Sequence, residues 1–209
     1  MISPKYNHEK LESPSFIDLV DVFEDLWQGY IFNPVRYLLD LEHGDIAAIT
    51  ILCSYYEAIH SYLTGESSRN KSMEFFIQGF MQVFNTDSSE IEKAAKDIYI
   101  NMRCGVAHEG MLRHKINYSR EGSKAFFLTY SKNSDGSLNI DEGVKSIIIN
   151  PIRILQGTEQ HFNNYVQMLR ETDNEEQINA FNKTVKRQWG LGAGENIIGM
   201  TPEQFLGHV

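Results

Sequence analysis

Arg103 and His108 stand on either side of four residues in Met102-Arg103-Cys104-Gly105-Val106-Ala107-His108-Glu109-Gly110. A guanidinium stays charged at every physiological pH, and its planar fork of donors matches phosphate oxygens. An imidazole titrates near neutrality and can take or give a proton. The two together suit phosphoryl chemistry. A helix must carry them, because Ile91, Ala94, Ala95, Ile98, Tyr99 and Met102 recur on one helical face. Ser88, or Ser89 with Glu92 three positions on, supplies the start signal, and Gly110 is placed to stop the helix. On an ideal helix the step from Arg103 to His108 turns about 140° and rises about 7.5 Å, so the two side chains flank the apolar stripe. One copy then presents half a site. Two copies packed stripe to stripe about a two-fold axis would bring both pairs to one cleft, so a homodimer is expected.

The run Arg103-Cys104-Gly105-Val106-Ala107-His108 resembles the R-x4-6-H motif of the HEPN family (higher eukaryotes and prokaryotes nucleotide-binding domain). The resemblance extends from Asp45 to Arg170. It implies a metal-independent endoribonuclease of toxin or defence type. In that chemistry His108 assists proton transfer at the attacking 2′-hydroxyl or the leaving oxygen, and Arg103 stabilises charge on the phosphoryl oxygens. No metal and no organic cofactor is called for. The partners implied are a second copy of the chain, RNA or a nucleotide, and a protein such as an antitoxin. Two positions depart from the family pattern. Ribonuclease members usually place Asn, Asp or His after the arginine, where this chain has Cys104, and several place Tyr two after the histidine, where it has Gly110. The departures favour a second reading, a non-catalytic HEPN-like module for nucleotide, RNA or protein in which Arg103 and His108 are structural. A third is a helical protein in which the spacing is coincidence.

Three residues are candidates for support: Glu57, Cys104 and Glu109. Glu57 belongs to a polar row, Thr50, Ser54, Glu57 and Ser61, on an otherwise apolar helix. It lies either on a narrow wet strip or inside, where a buried carboxylate requires a cation, and Arg103 is the best candidate for pairing. Glu57 and His60 also form the E-x-x-H of di-iron bundles, but those need a second copy of the motif, so no metal site is expected. His60 reads as a packed core histidine and His161 as a surface one. Directly after the motif, residues 111–124 hold Arg113, Lys115, Arg120 and Lys124 against Glu121 alone. The segment is either a solvated loop or a phosphate- and RNA-contacting guide.

The chain as a whole is acidic, with a net charge of −9, which argues against broad electrostatic adhesion to nucleic acid. Its composition, 42% apolar and 22% charged over 209 residues, is globular and fits one core. Cys53 and Cys104 form no C-x-x-C, so neither a disulfide framework nor zinc is indicated. With no signal-like start and no apolar run of membrane-spanning length, a cytoplasmic protein without membrane contact is expected.

The fold expected is mainly α, an up-and-down bundle of four to five long helices with an inserted β-hairpin at 124–150. Residues 1–15 are polar and proline-bearing and are expected to be loosely ordered. The single domain spans 16–189. It opens with an amphipathic helix from Phe16 to Phe32, an Asn33 cap and a short helix started by Pro34. Asp45 caps the next helix, apolar nearly all round and therefore central, which Gly65 ends. Ser72 to Phe84 is aromatic-rich core. Two β-rich runs flank an Asp135-Gly136 turn. Pro151 ends the second run and leads into a long helix, and a last helix from Glu175 ends in Lys183, Lys186 and Arg187, which complement its dipole. Residues 190–209 read as a glycine-rich joint, followed by a capped turn at Thr201-Pro202-Glu203-Gln204.

Overall fold

The computed structural model describes residues 3–85, 90–191 and 207, and within them the chain is mainly helical with a small sheet. Helices α1 (Phe16–Trp27), α2 (Asn33–Asp40), α3 (Asp45–Thr64) and α4 (Ser72–Val83) precede α5 (Ile91–Ile98) and α6 (Cys104–Glu109), the pair that carries the motif. Strands β1 (Ile116–Tyr118), β2 (Phe126–Thr129), β3 (Ser131–Lys132), β4 (Leu138–Asn139) and β5 (Ser146–Ile149) follow. Helices α7 (Pro151–Glu171) and α8 (Glu175–Trp189) complete the order. No helix among the described residues is long and apolar enough to cross a membrane. The start signal at Ser88 and Ser89, the turn at 201–204 and most of the 190–209 joint lie outside the described residues.

Helix α3 is central, as its nearly continuous apolar surface requires. Ile49, Leu52, Tyr55, Tyr56 and Ile59 are fully buried on it, and α2, α4, α7 and α8 pack against it. At one end Phe23 of α1 meets Tyr62, Phe162 and Phe181 at ring-centroid separations of 4.6, 5.5 and 5.3 Å. Tilted and edge-on pairs of this kind each add about 0.5–1.5 kcal/mol beyond the area they bury. Helix α4 approaches most closely at Gly79, where a Cβ would stand 1.8 Å from the carbonyl oxygen of Tyr56. Only glycine permits that contact.

The sheet has β5 in the middle, with β1 parallel on one side and β2 antiparallel on the other, and β3 and β4 pair separately through the Asp135-Gly136 turn. The expected hairpin is present, and the sheet gains a third strand, β1, from the segment read as a loop. Ile116 of β1 stands opposite Ile147, and both are buried. Phe126 of β2 packs on Phe80 of α4 and on Phe84 just beyond its end, which ties an otherwise marginal hairpin to the helices.

Three local expectations are corrected. Residues 3–15 are docked: His8–Leu11 form a 3₁₀ turn, Lys5 N–H donates to the buried Asp25 at 2.7 Å, and Pro4 lies on Gly29, whose added Cβ would stand 2.1 Å from the proline Cγ. Asn33 does not cap a helix start. The chain stays helical from Phe16 to Asp40 through a π-turn at Gln28–Phe32, which widens the helix just ahead of Pro34. A proline has no N–H to give and its ring presses on the carbonyl four residues back, so one wider turn lets the helix continue. Asp45 is not a side-chain cap either. It begins α3 buried, with Arg120 Nε at 3.0 Å.

Candidate functional site

Between α5 and α6 the helix also passes through a π-turn, Tyr99–Arg103, closed by Cys104 N–H donating to Tyr99 O. Without it, Arg103 would lie about 140° round the helix from the buried Ile98, on the far side, and His108 about 80° round, at the edge of the buried stripe. The extra residue turns everything after it back by about 100°, which brings Arg103 to about 40° and His108 to about 180°. The observed burial agrees. Arg103 is half-buried and His108 is exposed.

The freed polar groups of the π-turn are met locally. Asn101 is buried and its Nδ2 donates to Asp97 O at 2.9 Å. Arg113, from the loop after the motif, donates from its backbone N–H to Asn101 O at 2.9 Å and from Nη1 to Ile100 O at 3.1 Å. Its Nε donates to Glu109 at 3.0 Å, and that bond lowers the Glu109 pKa. One guanidinium thus ties Ile100, just before Arg103, to Glu109, just after His108. Between them the loop lies so close to Gly105 that a Cβ there would stand 2.7 Å from Met111 O.

Arg103 lines a groove of about 440 Å³ between α3 and α6. Thr50, Ser54, Glu57 and Ser61, the polar row of α3, contribute to its lining with Cys53, Ala107 and Gln188. Glu57 Oε2 lies 3.8 Å from Arg103 Nη2, and the two side chains keep 22% and 34% exposure, so the pair sits in the groove and not inside the core. The guanidinium also lies over the ring of Tyr99, at 5.6 Å from the centroid. Burial and the neighbouring Cys104 both raise the Tyr99 pKa. Cys104 is a half-buried free thiol, and Cys53 is a fully buried one whose pKa burial pushes up to about 12. His108 does not line the groove, and among the described residues it makes no hydrogen bond or ion pair. A single copy therefore separates the two motif side chains.

Three of the four cations expected to reach phosphate are engaged. Arg113 is held as described, Lys115 pairs with Asp97 at 3.5 Å, and Arg120 holds Asp45 and donates to Leu41 O at 3.0 Å. Together they fasten the segment after the motif to α2, α3 and α5. Lys124 is exposed at the turn before β2.

Among the described residues no three or more His, Cys, Asp and Glu side chains cluster as a metal site would need. His60 packs edge-on against Phe75 at 4.7 Å, and burial lowers its pKa. His161 is not a surface residue. It bonds Tyr55 Oη through Nδ1 at 2.8 Å and is half-buried, which lowers its pKa. Its place off the main apolar stripe of α7 hid that contact. Of the basic end of α8, Arg187 serves a different helix from the one expected, donating to Gly65 O and Glu66 O at the end of α3. No family model matches the chain, and comparison with curated proteins and with solved structures finds no match either.

Proposed function

We propose that the protein is a HEPN-like helical bundle that cuts RNA without a metal ion, at a cleft formed where two copies meet along α6. The observation that carries this reading is the division of the motif: Arg103 lines the groove, while His108 is exposed at the helix end. An exposed histidine with no hydrogen bond or ion pair among the described residues is available to a substrate or a second copy. In the cleft His108 moves a proton at the 2′-hydroxyl or the 5′-oxygen of the scissile linkage, and Arg103 holds the phosphoryl oxygens. The RNA's own 2′-oxygen forms the new bond to phosphorus while the bond to the 5′-oxygen breaks. That leaves a 2′,3′-cyclic phosphate and a free 5′-hydroxyl.

The test is cleavage of single-stranded RNA by purified protein in EDTA. Cutting with cyclic-phosphate ends is expected, and DNA, or RNA carrying a single 2′-deoxy substitution at the cut position, should survive there. His108→Ala should lower the rate by roughly 10²- to 10⁴-fold, the usual worth of a general acid or base. Arg103→Ala should lower it by roughly 10²- to 10³-fold, as loss of a charge-stabilising donor does. A contaminating nuclease would ignore both substitutions. One set of observations favours the second reading, a non-catalytic binding module: Arg103 is already beside Glu57, and Arg113, Lys115 and Arg120 are paired. Wild-type protein that leaves varied RNAs intact would replace the enzyme reading with that one.

A further inference from the structure

The groove beside Arg103 has a lopsided inventory of donors and acceptors. Thr50 Oγ1 donates to Ile46 O at 2.7 Å, Ser54 Oγ to Ile51 O at 2.7 Å and Ser61 Oγ to Glu57 O at 3.4 Å. A hydroxyl has one proton, and each of these is spent on the backbone of α3, so what remains for the groove is lone pairs. The Glu57 carboxylate in the same row accepts no hydrogen bond from the described residues. Arg103, at 3.8 Å, is a neighbouring charge beyond hydrogen-bond reach. This wall of α3 therefore accepts and does not donate. Donors come from other parts of the lining: Arg103, the Ser68 hydroxyl, and the amide N–H groups of Gln188, whose Oε1 is already taken by the Tyr62 hydroxyl at 2.7 Å.

We propose that the groove is a guanine subsite for the RNA strand, with Glu57 as the residue that reads the base. The inference rests on the ribonuclease reading for its substrate, while the base preference follows from the groove itself. Among the four RNA bases guanine alone presents two adjacent donors on its Watson–Crick edge, the N1–H and the N2 amino group, which match the two oxygens of one carboxylate. Adenine and cytosine each set a ring-nitrogen lone pair beside their amino group, and uracil flanks its single N–H with two carbonyl oxygens. Any of these turns a lone pair toward a carboxylate oxygen in a partly buried place, a mismatch that costs more than a missing bond. The volume of 440 Å³ is that of a site for one nucleoside-sized group. Arg103 lies beside the carboxylate without hydrogen-bonding to it, so its fork stays free for a phosphate.

Guanosine, adenosine, cytidine and uridine 3′-monophosphates, which contain no linkage to cut, are titrated into the full-length protein and followed by calorimetry. Guanosine 3′-monophosphate should bind at least about tenfold more tightly than the other three, the discrimination of one good bidentate pair. Inosine 3′-monophosphate, which keeps N1–H and lacks only the N2 amino group, should bind more weakly than guanosine 3′-monophosphate, because one of the two bonds to the carboxylate is missing. Glu57→Gln, which replaces one acceptor by a donor, should abolish the preference. Equal binding of the four, binding of none at millimolar concentration, or inosine binding as tightly as guanosine overturns the proposal, and the inosine comparison holds even where the variant fails to fold. Protein that prefers guanosine 3′-monophosphate but leaves RNA uncut keeps the subsite and removes the ribonuclease reading. Protein that cuts RNA while binding all four nucleotides alike does the reverse.

Discussion

At the scale of single residues, Glu57 and Arg103 show how far exposure changes the worth of a charge pair. Breaking a buried pair costs about 3–5 kcal/mol, because the remaining charge is left without water. Here the oxygen and nitrogen stand 3.8 Å apart at a groove that water reaches, so the solvated limit applies. Glu57→Ala should therefore lower the unfolding free energy by less than about 1 kcal/mol in urea. A loss of several kcal/mol would put the carboxylate inside and close the groove that the guanine subsite needs. The pairing was one of two readings the sequence left open, because Thr50, Ser54, Glu57 and Ser61 form one row on an otherwise apolar helix. The exposure of the pair was not legible there, because a helical row does not say how closely the facing helix approaches.

At the scale of elements, the determining features are close approaches and widened turns. Gly79 lets α4 lie against α3 with backbone near backbone, and Gly79→Ala would set a Cβ 1.8 Å from the Tyr56 carbonyl oxygen. A carbonyl in mid-helix cannot swing aside as a side chain can, so the helices must separate. The substitution should cost about 1–3 kcal/mol or more, read as a lower urea midpoint, although alanine is the better helix former. An unchanged midpoint would mean that the two helices are not in that contact. The π-turn at Tyr99–Arg103 decides where the motif points, yet it leaves no mark in composition or periodicity. In hindsight Asn101 is its trace, a buried amide in mid-helix that answers the carbonyl of Asp97. Strand β1 escaped notice for a related reason: three residues, of which only Ile116 is buried, carry too little alternation to read. The longer helices were legible because Leu, Ile and Phe recur along one face for several turns, and the Asp135-Gly136 turn because glycine there takes φ of 84°.

At the scale of the whole molecule, a net charge of −9 and the pairing of Arg113, Lys115 and Arg120 leave little diffuse attraction for a polyanion. Under the proposed function, recognition of RNA then depends on a local constellation, one shared between two copies, since one copy turns Arg103 and His108 apart. Mixing Arg103→Ala with His108→Ala protein tests the claim most directly. Each variant alone lacks one of the two groups in every dimer, whereas a mixed dimer retains one arginine and one histidine on opposite chains. Neither variant should cut RNA by itself, and the mixture, with mixed dimers verified by native mass spectrometry, should recover cutting in EDTA. Silence of the verified mixture, where the wild type cuts, would contradict a site shared between two copies.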